Sequence, residues 1–196
     1  DEDVNVKIVD LPGQLQMAKA NAEAHGFQNR ISGHAIDWLS ENPQIPKGAD
    51  LIWMCQFLDC FSEDEIVKIL ATCAQSMEDD AELIIVETFT DRQAFRASQF
   101  ILEATSLYFT VLANGNSKMY PASVFLKLID KAGLKLKEDI QLGEYHTMLV
   151  CEKKAPKSTK ETFWGKKLKN FGWTISHKKL LQYKEPNHLD EWGIAL

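Results

Sequence analysis

The spacing of short apolar runs constrains this chain more than any other feature. "VKIVD" reads as a strand buried on both faces, and Leu15 to His25 as an alanine-rich helix ending before the turn-like Gly26. "NRISGHAID" is a second strand, and the Pro- and Gly-bearing loop "ENPQIPKGAD" leads into a third, "LIWMCQFL". In "FSEDEIVKILATCAQSM", Ser62 followed three places later by Glu65 forms a capping box. Ile66, Ile69, Leu70 and Cys73 then fall on one helical face. "AELIIVETF" is a fourth strand, and "DRQAFRASQFILEATSLYFTVLA" is long and apolar at helical spacing. After the turn "NGNSKMYP" come a helix from Ala122 to Lys131, closed by Gly133, and the runs "LKLKEDIQL" and "YHTMLVCEKK", which read as an antiparallel hairpin. Strands alternating with helices predict an α/β fold with a mainly parallel sheet covered on both faces. Val6 to Val9, Ile52 to Cys55 and Leu83 to Val86 are expected as neighbours in that one sheet.

A length of 196 residues with 45% hydrophobic and 26% charged side chains suits one globular core with an appendage. No apolar run approaches the roughly 18 residues of a membrane span. The net charge of -6 argues against general nucleic-acid binding, which needs a basic face. Beyond Pro156, however, eight lysines stand against four acids, interleaved with Phe163, Trp164, Phe171, Trp173, Tyr183 and Trp192. Such a stretch either stacks nucleobases or packs its rings on the domain with its lysines in water, and the second reading is preferred because no nucleic-acid module precedes it. The expected division is a core over residues 1–153 and a basic, aromatic-rich extension over 154–196. Cys55, Cys60, Cys73 and Cys151 form no CxxC pair, which suits free thiols in a reducing cytoplasm and gives no metal site.

Taken together, "VKIVDLP", "RISGHAIDWL", "LDCFSEDEIVKIL" and "LIIVE" resemble the core of class I S-adenosylmethionine-dependent methyltransferases, and within them the small-molecule O-methyltransferases related to plant phenol and hydroxyindole enzymes. The resemblance runs from about Val4 to Lys153 and rests on order and spacing as much as on motifs. It implies a Rossmann-like methyltransferase fold, S-adenosylmethionine as cofactor and a small-molecule methyl acceptor, and it admits a homodimer. In this family a first strand and a glycine-rich loop come immediately before the segment matching "VKIVD". The chain opens at Asp1 on that segment, so the first strand and glycine loop are expected to be missing, with an unfilled or borrowed strand edge beside Val6 to Val9.

Asp10 at the C-terminal edge of a parallel strand suits hydrogen bonds from two ribose hydroxyls, though an aspartate before Pro12 is also ordinary turn chemistry. The resemblance places Leu11 and Cys55 beside the cofactor as well, with Asp37 and Trp38 near its adenine. On its own, "IDWLSE" reads equally as a helix cap beside a core tryptophan.

Methyl transfer to a hydroxyl requires an in-line donor, a nearby acceptor oxygen and usually a base. The family's base is a histidine after the fourth strand of its complete sheet, oriented by flanking glutamates. Here the matching position holds Asp59. Glu87 matches the first flanking glutamate, and Met119 falls at or near the second. An aspartate, with a reference pKa of about 3.9, is a weak base unless burial raises it. Asp59 and Glu87 are therefore the catalytic candidates, whose carboxylates are expected to face one pocket. Asn114, Met119 and His146 are the candidates for lining the acceptor site. Two alternatives stay open: a methyltransferase-fold protein that has lost catalysis and serves as a binding scaffold, and a nicotinamide-dependent Rossmann oxidoreductase.

Overall fold

The computed structural model describes residues 3–112 and 115–155. Asn114 and the extension from Pro156 onward lie outside the described residues. Strand β1, Val6–Asp10, pairs in parallel with β2, Ile31–Ala35, in a register running from Val6 opposite Ile31 to Asp10 opposite Ala35. Helix α1, Pro12–Ala24, joins them. It starts three residues before the sequence suggested, because Pro12 occupies a first-turn position where its missing N–H costs nothing.

A second sheet has the strand order β3-β4-β6-β5. Strand β3, Leu51–Cys55, is parallel to β4, Glu82–Glu87, while β6, His146–Lys153, runs antiparallel to both β4 and β5, Leu134–Leu142. The run "LIIVE" fills β4 because a strand paired on both edges with both faces covered needs continuous apolar side chains, and Leu83, Ile85 and Val86 are all buried. Helix α2, Glu63–Ser76, begins with the capping box: the Glu65 carboxylate accepts both the backbone N–H and the hydroxyl of Ser62 at 2.8 Å. Its buried face is Ile66, Ile69, Leu70 and Cys73, the set that the 3.6-residue period selects. Helix α4, Ala122–Lys131, buries Phe125, Leu128 and Ile129 in the same core and ends before Gly133 at φ +85°.

Three differences from expectation bear on the site. The strand "LIWMCQFL" stops at Cys55, since Gln56 adopts φ +48° and breaks the extended run. The apolar stretch after β4 begins as a 3₁₀ turn, Thr90–Arg92, before helix α3, Arg96–Leu112, and α3 has no buried residue. Finally, the expected single sheet is divided. Pairing requires an aligned row of backbone groups on both strands, yet β1 pairs only with β2 and β3 only with β4 among the described residues. Both β1 and β3 thus keep one unpaired edge. What joins the two sheets is apolar packing, because Ile36 and Trp38, just after β2, share one core with Met54, Leu58 and Phe89.

Candidate active site

The loops after β2 and β3 meet at one edge of the molecule, where Trp38 packs edge-on against Phe57 with ring centroids 6.0 Å apart and Phe57 meets Phe61 at 5.1 Å. That edge is also where β1 and β4 end, so Asp10, Asp37, Cys55 and Glu87 all stand at the C-terminal ends of parallel strands or just beyond them. In open α/β sheets ligands bind at this edge.

Asp59 does not end a strand. It lies in a 3₁₀ turn, Leu58–Cys60, anchored by the fully buried Leu58. Glu87, 2% exposed, holds that turn from below: its Oε1 accepts the backbone N–H of Phe57 at 3.1 Å and of Leu58 at 3.0 Å, and Gln56 Nε2 reaches its Oε2 at 3.5 Å. From the other side, Lys118 donates its backbone N–H to the Asp59 carbonyl at 2.9 Å, and Tyr120 its hydroxyl to the Phe61 carbonyl at 2.7 Å. The turn is therefore fixed from two directions while the Asp59 carboxylate takes, among the described residues, the weak Cys60 thiol, 3.7 Å away, as its side-chain donor.

Burial raises the Asp59 carboxyl above the usual carboxylate range, against the lowering effect of that thiol and of neighbouring backbone donors. Burial, with the Asp59 charge added, pushes Glu87 up to about 7 despite the N–H bonds from Leu58 and Phe57. The same causes, burial and then Asp59, carry the Cys60 thiol to about 11, so it is not a nucleophile near neutral pH. Burial and then Glu87 raise Cys55 as well. The structure thus brings Asp59 and Glu87 into electrostatic contact. Both carboxyls accept backbone N–H groups, Glu87 those of Phe57 and Leu58 and Asp59 its own and that of Cys60, and Asp59 is the less buried of the two.

At the ends of β1 and β2, Asp10 Oδ1 accepts the N–H of Leu11 at 2.7 Å and Asp37 Oδ1 that of Leu39 at 2.9 Å. Each carboxylate keeps a second oxygen without a hydrogen bond among the described residues. Trp38 is buried with its Nε1 unpartnered there. A second cleft region, of about 430 Å³, is lined by Thr88, Gln93, Phe95, Ala97, Ile101 and Tyr145 among others. Met119 reaches it indirectly, since its sulfur accepts the Thr88 hydroxyl at 3.6 Å, and His146 follows the lining residue Tyr145. Asn114 lies outside the described residues. Sequence reasoning missed Gln56, whose positive φ no residue pattern announces, and Lys118, whose role is carried by its backbone.

Parallel strands with acids at or just beyond their C-terminal ends, an apolar wall beside two of them and a half-buried Asp59 over the buried Glu87 make this edge a ligand-binding edge of an α/β sheet. The chain belongs to the O-methyltransferase domain family, whose pattern it matches over residues 3–135. This membership displaces the nicotinamide alternative. Among its relatives, the O-methyltransferase SfmM3 of Streptomyces lavendulae is 27% identical over 136 residues, covering 68% of this chain and 40% of that protein. The mitomycin biosynthesis 6-O-methyltransferase of the same organism is 27% identical over 136 residues, covering 69% and 36%. The fold is shared with NcsB1, an O-methyltransferase from neocarzinostatin biosynthesis solved with S-adenosylmethionine and 2-hydroxy-5-methyl naphthoic acid, at a TM-score of 0.64 and 16% identity, covering 78% of this chain and 42% of that one. The chain accordingly spans well under half the length of the curated relatives it matches.

Proposed function

We propose that this chain carries the cofactor-side portion of an S-adenosylmethionine-dependent O-methyltransferase acting on a small aromatic hydroxyl compound, with Asp59 as the base. The observation that carries the reading is the Asp59 turn, in which a carboxyl of raised affinity for protons is held by a buried glutamate at the ligand-binding edge of the sheet. Relatives named for methylation of mitomycin and of a hydroxynaphthoate support the acceptor class.

The residues present fit the cofactor. The unbonded oxygens of Asp10 and Asp37 suit ribose hydroxyls and an exocyclic amine, Trp38 supplies an apolar wall with a spare N–H, and Leu11 and Cys55 flank the space between. The edges of β1 and β3 left unpaired among the described residues suit a further strand. When bound, the sulfonium group supplies an electrophilic methyl, so that a carbon–oxygen bond forms as a carbon–sulfur bond breaks. Asp59 takes the acceptor's hydroxyl proton, a task for which a raised pKa is an advantage. Glu87 positions the turn, and Met119 and His146 border the acceptor. Free thiols at all four described cysteines agree with a cytoplasmic setting. No described helix is long and apolar enough to cross a membrane.

A second reading, a scaffold without catalysis, draws on Asp59 and Met119 standing where the family has histidine and glutamate. One assay separates the two. The natural full-length protein, incubated with S-adenosylmethionine and a panel of hydroxynaphthoates and phenols, transfers methyl groups if the enzyme reading holds, and Asp59→Asn lowers kcat by about 10² to 10⁴ with cofactor affinity unchanged. Absence of transfer to every acceptor, with cofactor still bound, selects the scaffold.

A further inference from the structure

Gln93 lines the cleft from just beyond the 3₁₀ turn that follows β4, and its amide is fixed from two sides. Its Nε2 donates to the Phe89 carbonyl at 2.9 Å and to the Tyr145 carbonyl at 3.0 Å. Only an NH₂ group can serve two carbonyls, so the amide has one orientation and both of its protons are engaged. Oε1 is left as an acceptor with no hydrogen bond among the described residues. The platform beneath it is held as well. Ala94 donates its backbone N–H to the Glu144 carbonyl at 3.4 Å, Arg92 pairs with both carboxylate oxygens of Asp139, and Asp91 accepts the N–H groups of Ala122 and Ser123. The segment is thereby tied to β5, to the turn after it and to α4.

Two hydroxyls of the cleft have spent their protons in the same way. Ser98 donates to the Phe95 carbonyl at 2.7 Å, and Thr88 to the Met119 sulfur, a weak acceptor, at 3.6 Å. A hydroxyl whose one proton is engaged can still accept, so Gln93, Ser98 and Thr88 all offer oxygen lone pairs and no proton. No described lining residue is charged. A carboxylate entering here would lose water without gaining an ionic side-chain partner, and an ether or carbonyl would set oxygen against oxygen. A ligand that carries its own amino or hydroxyl donor meets the acceptors that the chain leaves unused.

We propose that Gln93 is a specificity-determining residue of this cleft, whose Oε1 accepts a hydrogen bond from a second amino or hydroxyl group of an uncharged aromatic acceptor, distinct from the group that is methylated. The inference rests on reading the cleft as the acceptor site. Within the hydroxyaromatic class it selects diols and aminophenols over their ethers, over quinones and over carboxylates.

Binding without turnover tests it. The natural full-length protein, in the presence of S-adenosylhomocysteine, is titrated calorimetrically with a naphthalenediol, with the diol's monomethyl ether and with a hydroxynaphthoate. The diol should bind about tenfold more tightly than either, the scale of one hydrogen bond made or lost. Gln93→Met should bring diol and ether to within about twofold of each other. Gln93→Lys keeps a donor for the Phe89 and Tyr145 carbonyls, removes the acceptor and adds a positive charge, so its ranking should invert in favour of the hydroxynaphthoate. The parent's ranking decides even where a variant does not fold. An ether bound as tightly as the diol overturns the proposal, as does a diol preference that survives Gln93→Met. A parent that binds the hydroxynaphthoate most tightly also overturns it, and moves recognition to the first-turn N–H groups of α3. Methyl transfer is scored separately: the expected ranking without transfer sinks the enzyme reading and leaves the role of Gln93 standing.

Discussion

Leu58 donates its backbone N–H to Glu87 Oε1 at 3.0 Å, and this bond ties the end of β4 to the turn that presents Asp59. The acceptor is a carboxyl that burial and a neighbouring negative charge hold near neutrality. The same group therefore organises the site and weakens the fold when it ionises.

The pH dependence follows in sign. Glu87 binds its proton more tightly folded, with a pKa of about 7, than unfolded, near 4.5, so its contribution is fully present below the unfolded value and is lost as pH rises through the folded one. Thermal unfolding of Glu87→Gln should match the parent near pH 4. At pH 8 the variant should be the more stable, by on the order of 3 kcal/mol if the whole shift is realised. A parent as stable as the variant at pH 8 would contradict a raised Glu87.

Gln56 holds the left-handed conformation at the junction of strand and turn. A β-branched side chain is far more strained there than glycine, so Gln56→Val should unfold more easily than Gln56→Gly by about 1 to 3 kcal/mol. Paired denaturant titrations measure the difference. Equal midpoints would mean that the backbone relaxes away from φ +48° at no cost.

The Asp10 side chain contributes little to the fold, since the one described hydrogen bond of its carboxylate runs to the adjacent Leu11, while the bond from Ile36 N–H goes to its backbone carbonyl and survives substitution. Asp10→Ala should leave the unfolding temperature nearly unchanged. It should weaken S-adenosylmethionine binding to the full-length protein by about 1.5 to 3 kcal/mol by calorimetry, the value of a hydrogen bond to a charged group. Unaltered affinity would remove Asp10 from the cofactor site.

Periodicity located the strands and helices well wherever one buried face dictated residue type, as at "LIIVE" and at the Ile66, Ile69, Leu70 and Cys73 face of α2. It failed where backbone geometry rather than side-chain chemistry decides. The break at Gln56 and the bond from Lys118 to the Asp59 carbonyl involve groups that every residue possesses, and a pattern of side chains does not register them. Apolar spacing also could not say which side of α3 would be covered, because the exposed face is as hydrophobic as a core face. Asp59 and Glu87 were legible as a pair through the family resemblance. Their division of labour was not, since it depends on where the N–H groups of Phe57 and Leu58 point.

The division of the sheet has a consequence for the order in which the molecule comes apart. Strands β1 and β2 hold each other through one parallel ladder, while β4 is laddered on both edges. Amide protons of the small ladder should therefore exchange with solvent through local opening, well before those of Leu83 to Val86, which wait for global unfolding. Warming would release the strand ends bearing Asp10 and Asp37 while the Asp59 turn is still folded on Glu87. On the proposed assignment of Asp10 and Asp37 to the methyl donor and of Asp59 as base, donor affinity would fade at temperatures where the Asp59 turn survives, so that heat inactivation would begin with an empty donor site.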